Sequence, residues 1–115
     1  MYLLAESEHY IVYSEYETVT MEIRESHRKI KIGDFYGDPE MAVISDDEKF
    51  CAMCGCGVIV YYLKEPFREY EYNVQTDQWR EWSRNGDVWF EDIRCINSET
   101  IELLKEGGEK IEFHV

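Results

Sequence analysis

The sequence predicts a β-rich fold, all-β or α+β with at most one short helix, built as one small domain from about seven to nine mostly antiparallel strands. Three observations carry that expectation. Apolar residues alternate with polar ones along several short segments. One mid-chain run is apolar on both faces. Turn residues recur between these runs while helix signals are scarce. The 115 residues, 44% hydrophobic and 15% aromatic, suffice for one packed core and argue against a disordered chain.

Taken in order, Val19, Met21 and Ile23 share one face of a run whose other face holds Thr18, Thr20, Glu22 and Arg24, the pattern of a half-buried strand. Ile30 and Ile32 repeat it between Lys29 and Lys31. A Gly33-to-Glu40 loop follows, with two glycines, Phe35, Tyr36 and several acids. Met41–Ser45, the acidic turn Asp46-Asp47-Glu48-Lys49, Phe50–Cys54, the Gly55-Cys56-Gly57 corner and Val58–Leu63 form the most apolar part of the chain. Val58–Leu63 has no polar face, so it is expected to be a central strand covered on both sides. This strand, Asp-rich turn and strand have the look of a propeller blade; because a propeller needs several blades and the chain has room for about two, the likeness reads as shared hairpin grammar.

From residue 75 to 90 two readings stay open. Trp79 and Trp82 lie at i, i+3 on a helix over Gln75–Arg84 that Asn85-Gly86 would end, or Asn85-Gly86 is itself a hairpin turn leading into Val88-Trp89-Phe90. At the C-terminal side, Thr100–Leu104 and the alternating Ile111, Phe113 and Val115 flank Gly107-Gly108, which reads as a hairpin.

Charge bears most on function. Twenty-five Asp and Glu against twelve Lys and Arg give a net −13, which argues against DNA or RNA as a partner, because phosphates are bound by Lys and Arg that displace counterions. The complement is a basic protein surface. No run approaches a membrane span and Met1–Ala5 is followed by Glu6 and Glu8, so a cytoplasmic protein without membrane association is expected. Cys51, Cys54 and Cys56 have some zinc-like spacing but lack a second paired ligand unit, and a regular strand would turn Cys51 away from Cys54. They read as buried thiols, and neither a metal nor another cofactor is expected. His9, His27 and His114 are not placed beside a nucleophile, so no catalytic residue is assigned and the chain is not expected to be an enzyme.

Two acidic clusters are the candidate partner-binding residues: Asp34, Tyr36, Asp38 and Glu40 on the Gly33-to-Glu40 loop, and Glu91 and Asp92 after Trp89-Phe90. Carboxylates steer a basic partner, and tyrosine offers a large contact area at small entropic cost. The Tyr36–Pro39 loop, the Val58–Leu63 strand and the Trp89–Ile93 segment, with the acidity of the whole chain, resemble immunity proteins of bacterial polymorphic toxin and contact-dependent growth inhibition systems. The resemblance implies an inhibitor that covers the active site or substrate surface of a basic, nuclease-type toxin. An accessory subunit of another complex and a small metal- or ligand-binding enzyme are the alternatives.

Overall fold

The computed structural model describes residues 1–115 as an all-β domain of eleven strands in three antiparallel sheets. The first sheet runs in chain order through β1 (Tyr2–Glu6), β2 (Tyr10–Glu15), β3 (Thr18–Ile23) and β4 (Lys29–Asp34). The second runs through β5 (Met41–Ile44), β6 (Phe50–Gly55), β7 (Gly57–Tyr62) and β8 (Trp79–Trp82). The third holds β9 (Phe90–Asn97), β10 (Thr100–Lys105) and β11 (Lys110–His114). Each sheet is a meander of sequence neighbours, joined by short turns except between β7 and β8, which is why eleven strands fit where fewer were expected.

The sheets stack with the second between the other two, and β1 lies against β5 as β5 lies against β9. First strands inside and later strands outside is how successive blades of a propeller are arranged. The expectation that the blade likeness is only hairpin grammar, with room for about two units, is thereby corrected, since all three sheets repeat the arrangement. Alternation sorts side chains into two cores. Val12, Val19, Met21, Ile30 and Ile32 meet Cys51, Met53, Ile59 and Tyr61 between sheets one and two. Phe50, Ala52, Cys54, Val58 and Val60 meet Phe90, Ile93, Ile101 and Leu103 between sheets two and three. Strand β7 is buried on both faces, as its continuous apolar run predicts.

Of the two readings open for residues 75–90 neither forms: strand β8 stands in place of a helix over Gln75–Arg84, and Asn85-Gly86 lies in the connection to the third sheet instead of a hairpin turn. The tryptophan spacing misleads because β8 serves both cores: Trp79 packs toward the first sheet and Trp82 toward the third. Before β8, residues 63–78 cross the open edge of β4. The Tyr70 amide donates to the Lys31 carbonyl at 2.8 Å and the Lys31 amide to a Glu69 carboxylate oxygen at 2.8 Å. Buried Gln78 fastens the crossing, donating to the carbonyls of Tyr62 (2.6 Å) and Lys64 (3.1 Å) and accepting from the Arg68 amide. The three crowded cysteines also separate. Cys51 faces the first core, Cys54 the second, and Cys56 sits in the β6–β7 corner, bridged to Trp89.

Candidate functional site

Antiparallel meanders place alternate turns at the same end of the stack. One end therefore collects the start of β1, the Tyr16-Glu17 turn, the loop after β4, the β6–β7 corner, the segment after β8 and the start of β9. Hydrogen bonds join these pieces. The Phe35 amide donates to the Glu17 carbonyl at 2.9 Å, and the Gly37 amide donates to the Glu17 carboxylate at 2.5 Å. Arg84 ties three of them together: Nη1 donates to the Cys56 carbonyl at 2.9 Å, Nη2 donates to the Asp34 carbonyl, and Nε pairs with Glu81 at 3.0 Å. Its guanidinium lies 4.8 Å from the Phe35 ring centre and 5.8 Å from that of Tyr72.

Most of the exposed large apolar side chains gather here. Tyr2, Tyr16, Tyr36 and Tyr72 are 75%, 89%, 84% and 62% exposed, with Met1, Leu3 and Met41 nearby, while only Ile96 lies elsewhere. Around them Glu15, Glu17, Asp38, Glu40, Glu91, Asp92 and Glu106 have no ion-pair partner. Lys31, Arg84 and Lys105, the nearby bases, are already tied to Asp34, Glu81 and Glu109, whereas Lys110, at the start of β11, has no ion-pair partner. The far end instead carries Arg24, Arg28, Lys29, Lys49, Lys64 and Arg68 among its acids.

The six residues singled out from the sequence all lie at this end, on two walls. Asp34 and Tyr36 line a cleft of about 600 Å³ with Glu17, Phe35, Tyr72 and Arg84. Asp38 and Glu40 line its neighbour with Tyr2, Ser14 and Tyr16. Glu91 and Asp92 open β9 in the third sheet, where both are exposed. Burial pushes the Cys54 thiol up to about 12, and the charges of Asp92 and Glu40 add to that shift. Cys51 is pushed up more strongly by its complete burial. Thiols held protonated this way are poor nucleophiles and poor metal ligands.

Glu17, Tyr2, Tyr16, Tyr72 and Arg84 have no local pattern that marks them in the sequence. The one available signal was Tyr16-Glu17 between two alternating runs, the place of a two-residue hairpin turn. Tyr16 sits at φ 56°, a backbone region in which asparagine or glycine is far cheaper than an aromatic residue.

A second cluster lies at the opposite end. Ligand atoms of Glu8, His9 and Glu48 fall within 4.8 Å of one another. Glu48 is engaged there in joining turns of two sheets: it accepts hydrogen bonds from the Ser7 hydroxyl, the His9 amide (3.0 Å) and the His9 ring (2.6 Å).

No protein-family model and no curated protein matches the chain. Among solved structures it is similar to a chain of the crystal structure of the Chaetomium thermophilum heterotrimeric Nup82 NTD–Nup159 TAIL–Nup145N APD complex, with a TM-score of 0.67 and 12% identity. The match covers 98% of this chain and 26% of that one, so this domain spans about a quarter of its neighbour's length. At that identity the likeness concerns the fold alone. No helix of the structure is long and apolar enough to cross a membrane.

Proposed function

We propose that this domain is a protein-binding module whose acidic, tyrosine-tipped end captures a basic surface of its partner, and that it acts as an immunity protein covering a nuclease-type toxin. The observation that carries the reading is the coincidence, at one end of the stack, of exposed tyrosines with carboxylates that have no ion-pair partner. Uncompensated like charge at close range costs stability, and a basic partner would relieve it. Contiguous exposed apolar surface rimmed by charge is the usual appearance of an interaction site. Carboxylates would set the encounter rate and the tyrosine rings the lifetime of the complex. The fold neighbour's place in a heterotrimeric complex is compatible with a role in binding protein, without bearing on which protein.

Co-expression with a toxin domain encoded beside this chain tests the reading. The wild-type protein should protect the cell, and reversal of Asp38, Glu40, Glu91 and Asp92 to Lys should abolish protection while leaving the protein folded. Equal protection by both forms would contradict it.

A further inference from the structure

Of the three outer strands, β4 is covered by residues 63–78 and β8 is only four residues long, whereas β11 is met at its edge only by the Arg80 side chain, at His114. The hydrogen-bond phase of the last hairpin identifies which of its backbone groups are free. The Lys105 amide donates to the Glu109 carbonyl and the Val115 amide to the Glu99 carbonyl, each at 2.8 Å. Bonded and non-bonded pairs alternate along an antiparallel ladder. With Leu103 opposite Ile111 and Ile101 opposite Phe113 as bonded pairs, the N–H and C=O groups of Lys110, Glu112 and His114 point away from β10. Only the His114 carbonyl is used, by Arg80 Nη1 at 3.2 Å.

Side chains along this edge are also incompletely matched. On the inner face Ile111 and Phe113 are only partly buried, and Phe113 stacks on Trp82 with ring centres 4.7 Å apart. On the outer face Glu112 stands directly opposite Glu102, in a non-bonded pair where side chains approach most closely. Glu102 is neutralised by Arg94 at 2.8 Å, and Glu112 has no ion-pair partner. Like charges directly opposite are destabilising.

We propose that β11 is a strand-addition site for an extended partner segment in which a Lys or Arg flanked by two β-branched apolar residues faces Glu112. Such a segment gives the third sheet a fourth antiparallel strand, as the other two have. Its backbone bonds the free groups of Lys110, Glu112 and His114, its apolar residues extend the cover over Ile111, Phe113 and Trp82, and its cation answers Glu112. Main-chain pairing supplies affinity and alternate side chains supply specificity, as in other strand-addition complexes. The site runs along a lateral edge and is independent of the tyrosine-tipped end.

The probe is the capped peptide Lys-Thr-Val-Arg-Val-Thr-Lys, followed by amide hydrogen exchange and NMR titration on the whole protein. In the free protein the Lys110, Glu112 and His114 amides should exchange rapidly, and saturating peptide should slow them at least about tenfold. Glu112→Pro removes an outward N–H without touching the ladder to β10 and should abolish binding in a protein that still melts cooperatively. Glu112→Lys should weaken the Arg peptide by up to about fivefold and strengthen a Glu-centred version, the scale of a cross-strand charge pair. Amides already protected in the free protein, protection that rises with protein concentration and so assigns the edge to a second copy, no binding at millimolar peptide, or binding indifferent to both substitutions would each overturn the proposal. Reversal of Asp38, Glu40, Glu91 and Asp92 should leave peptide binding within about twofold. Peptide lost on that reversal but retained by Glu112→Pro would refute the strand site and leave the acidic-end reading standing.

Discussion

Arg84 donates through Nη1 to the carbonyl of Cys56 at 2.9 Å, fixing the β6–β7 corner to the segment that leaves β8. The same guanidinium reaches the Asp34 carbonyl and lies over Phe35, so one side chain holds the base of the Tyr36 loop in place. Arg84→Met keeps the aliphatic stem but leaves Glu81 and two carbonyls without their cationic donor. A loss of about 2 to 3 kcal/mol in denaturant unfolding is expected, because hydrogen bonds to charged groups are worth about that much. Exchange of the 34–38 amides should quicken with it.

The corner itself depends on Gly57. Its φ is +97°, and a Cβ there would lie 2.7 Å from the Ser83 carbonyl oxygen. Gly86 has a similar φ of +87° with nothing within 4 Å. Gly86→Ala should therefore cost only the left-handed backbone penalty of about 1 to 2 kcal/mol, and Gly57→Ala clearly more because backbone must also move. Parallel urea melts compare them directly.

Tyr16 separates stability from binding. Because its φ of 56° is costly for an aromatic residue, Tyr16→Asn should raise stability by about 0.5 to 1 kcal/mol. If the exposed ring is a partner anchor, the same substitution should speed dissociation several-fold. Calorimetry and a binding time course on one variant read both effects.

At the other end, His9 and Glu48 link the β1–β2 turn to the β5–β6 turn. The hydrogen bond and charge of Glu48 raise His9 above its ordinary 6.5. For Glu48, burial works to raise the carboxyl, but hydrogen bonds from Ser7 and His9 outweigh it and hold the group below 4.5. A raised histidine contributes fully below its unfolded value and fades as pH climbs through the folded one; a lowered carboxylate contributes above its unfolded value and fades as pH falls. The pair is thus most effective between about pH 4.5 and 6.5. The difference in Tm between wild type and His9→Gln should be largest in that window and shrink as pH rises through the raised His9 value.

Strands were legible wherever one face is buried, as at Val19, Met21 and Ile23, and wherever both are, as in Val58–Leu63. They were ambiguous where two aromatic residues three apart serve opposite cores, since Trp79 and Trp82 fit a helical face as well as a strand with one ring on each side. The acids of the Gly33-to-Glu40 loop were visible as composition. Their meeting with Glu91, Asp92, Tyr2 and Tyr16 was not, because it arises from stacking three sheets with like ends together, a relation between residues far apart in the chain. Arg84 was hidden for the same reason: its partners are a distant carbonyl at Cys56 and another at Asp34.

The central claim is that the tyrosine-tipped acidic end is the partner-binding surface, and the association rate with the captured partner tests it most directly. Measured over about 50 to 300 mM salt, the wild-type rate should fall steeply, since screening shortens the reach of charge to about 8 Å near physiological ionic strength. The Asp38→Lys, Glu40→Lys, Glu91→Lys and Asp92→Lys protein should associate at least about tenfold more slowly at low salt and lose most of that dependence. Equal rates and equal salt slopes for the two proteins would show that these carboxylates are only a solvated surface.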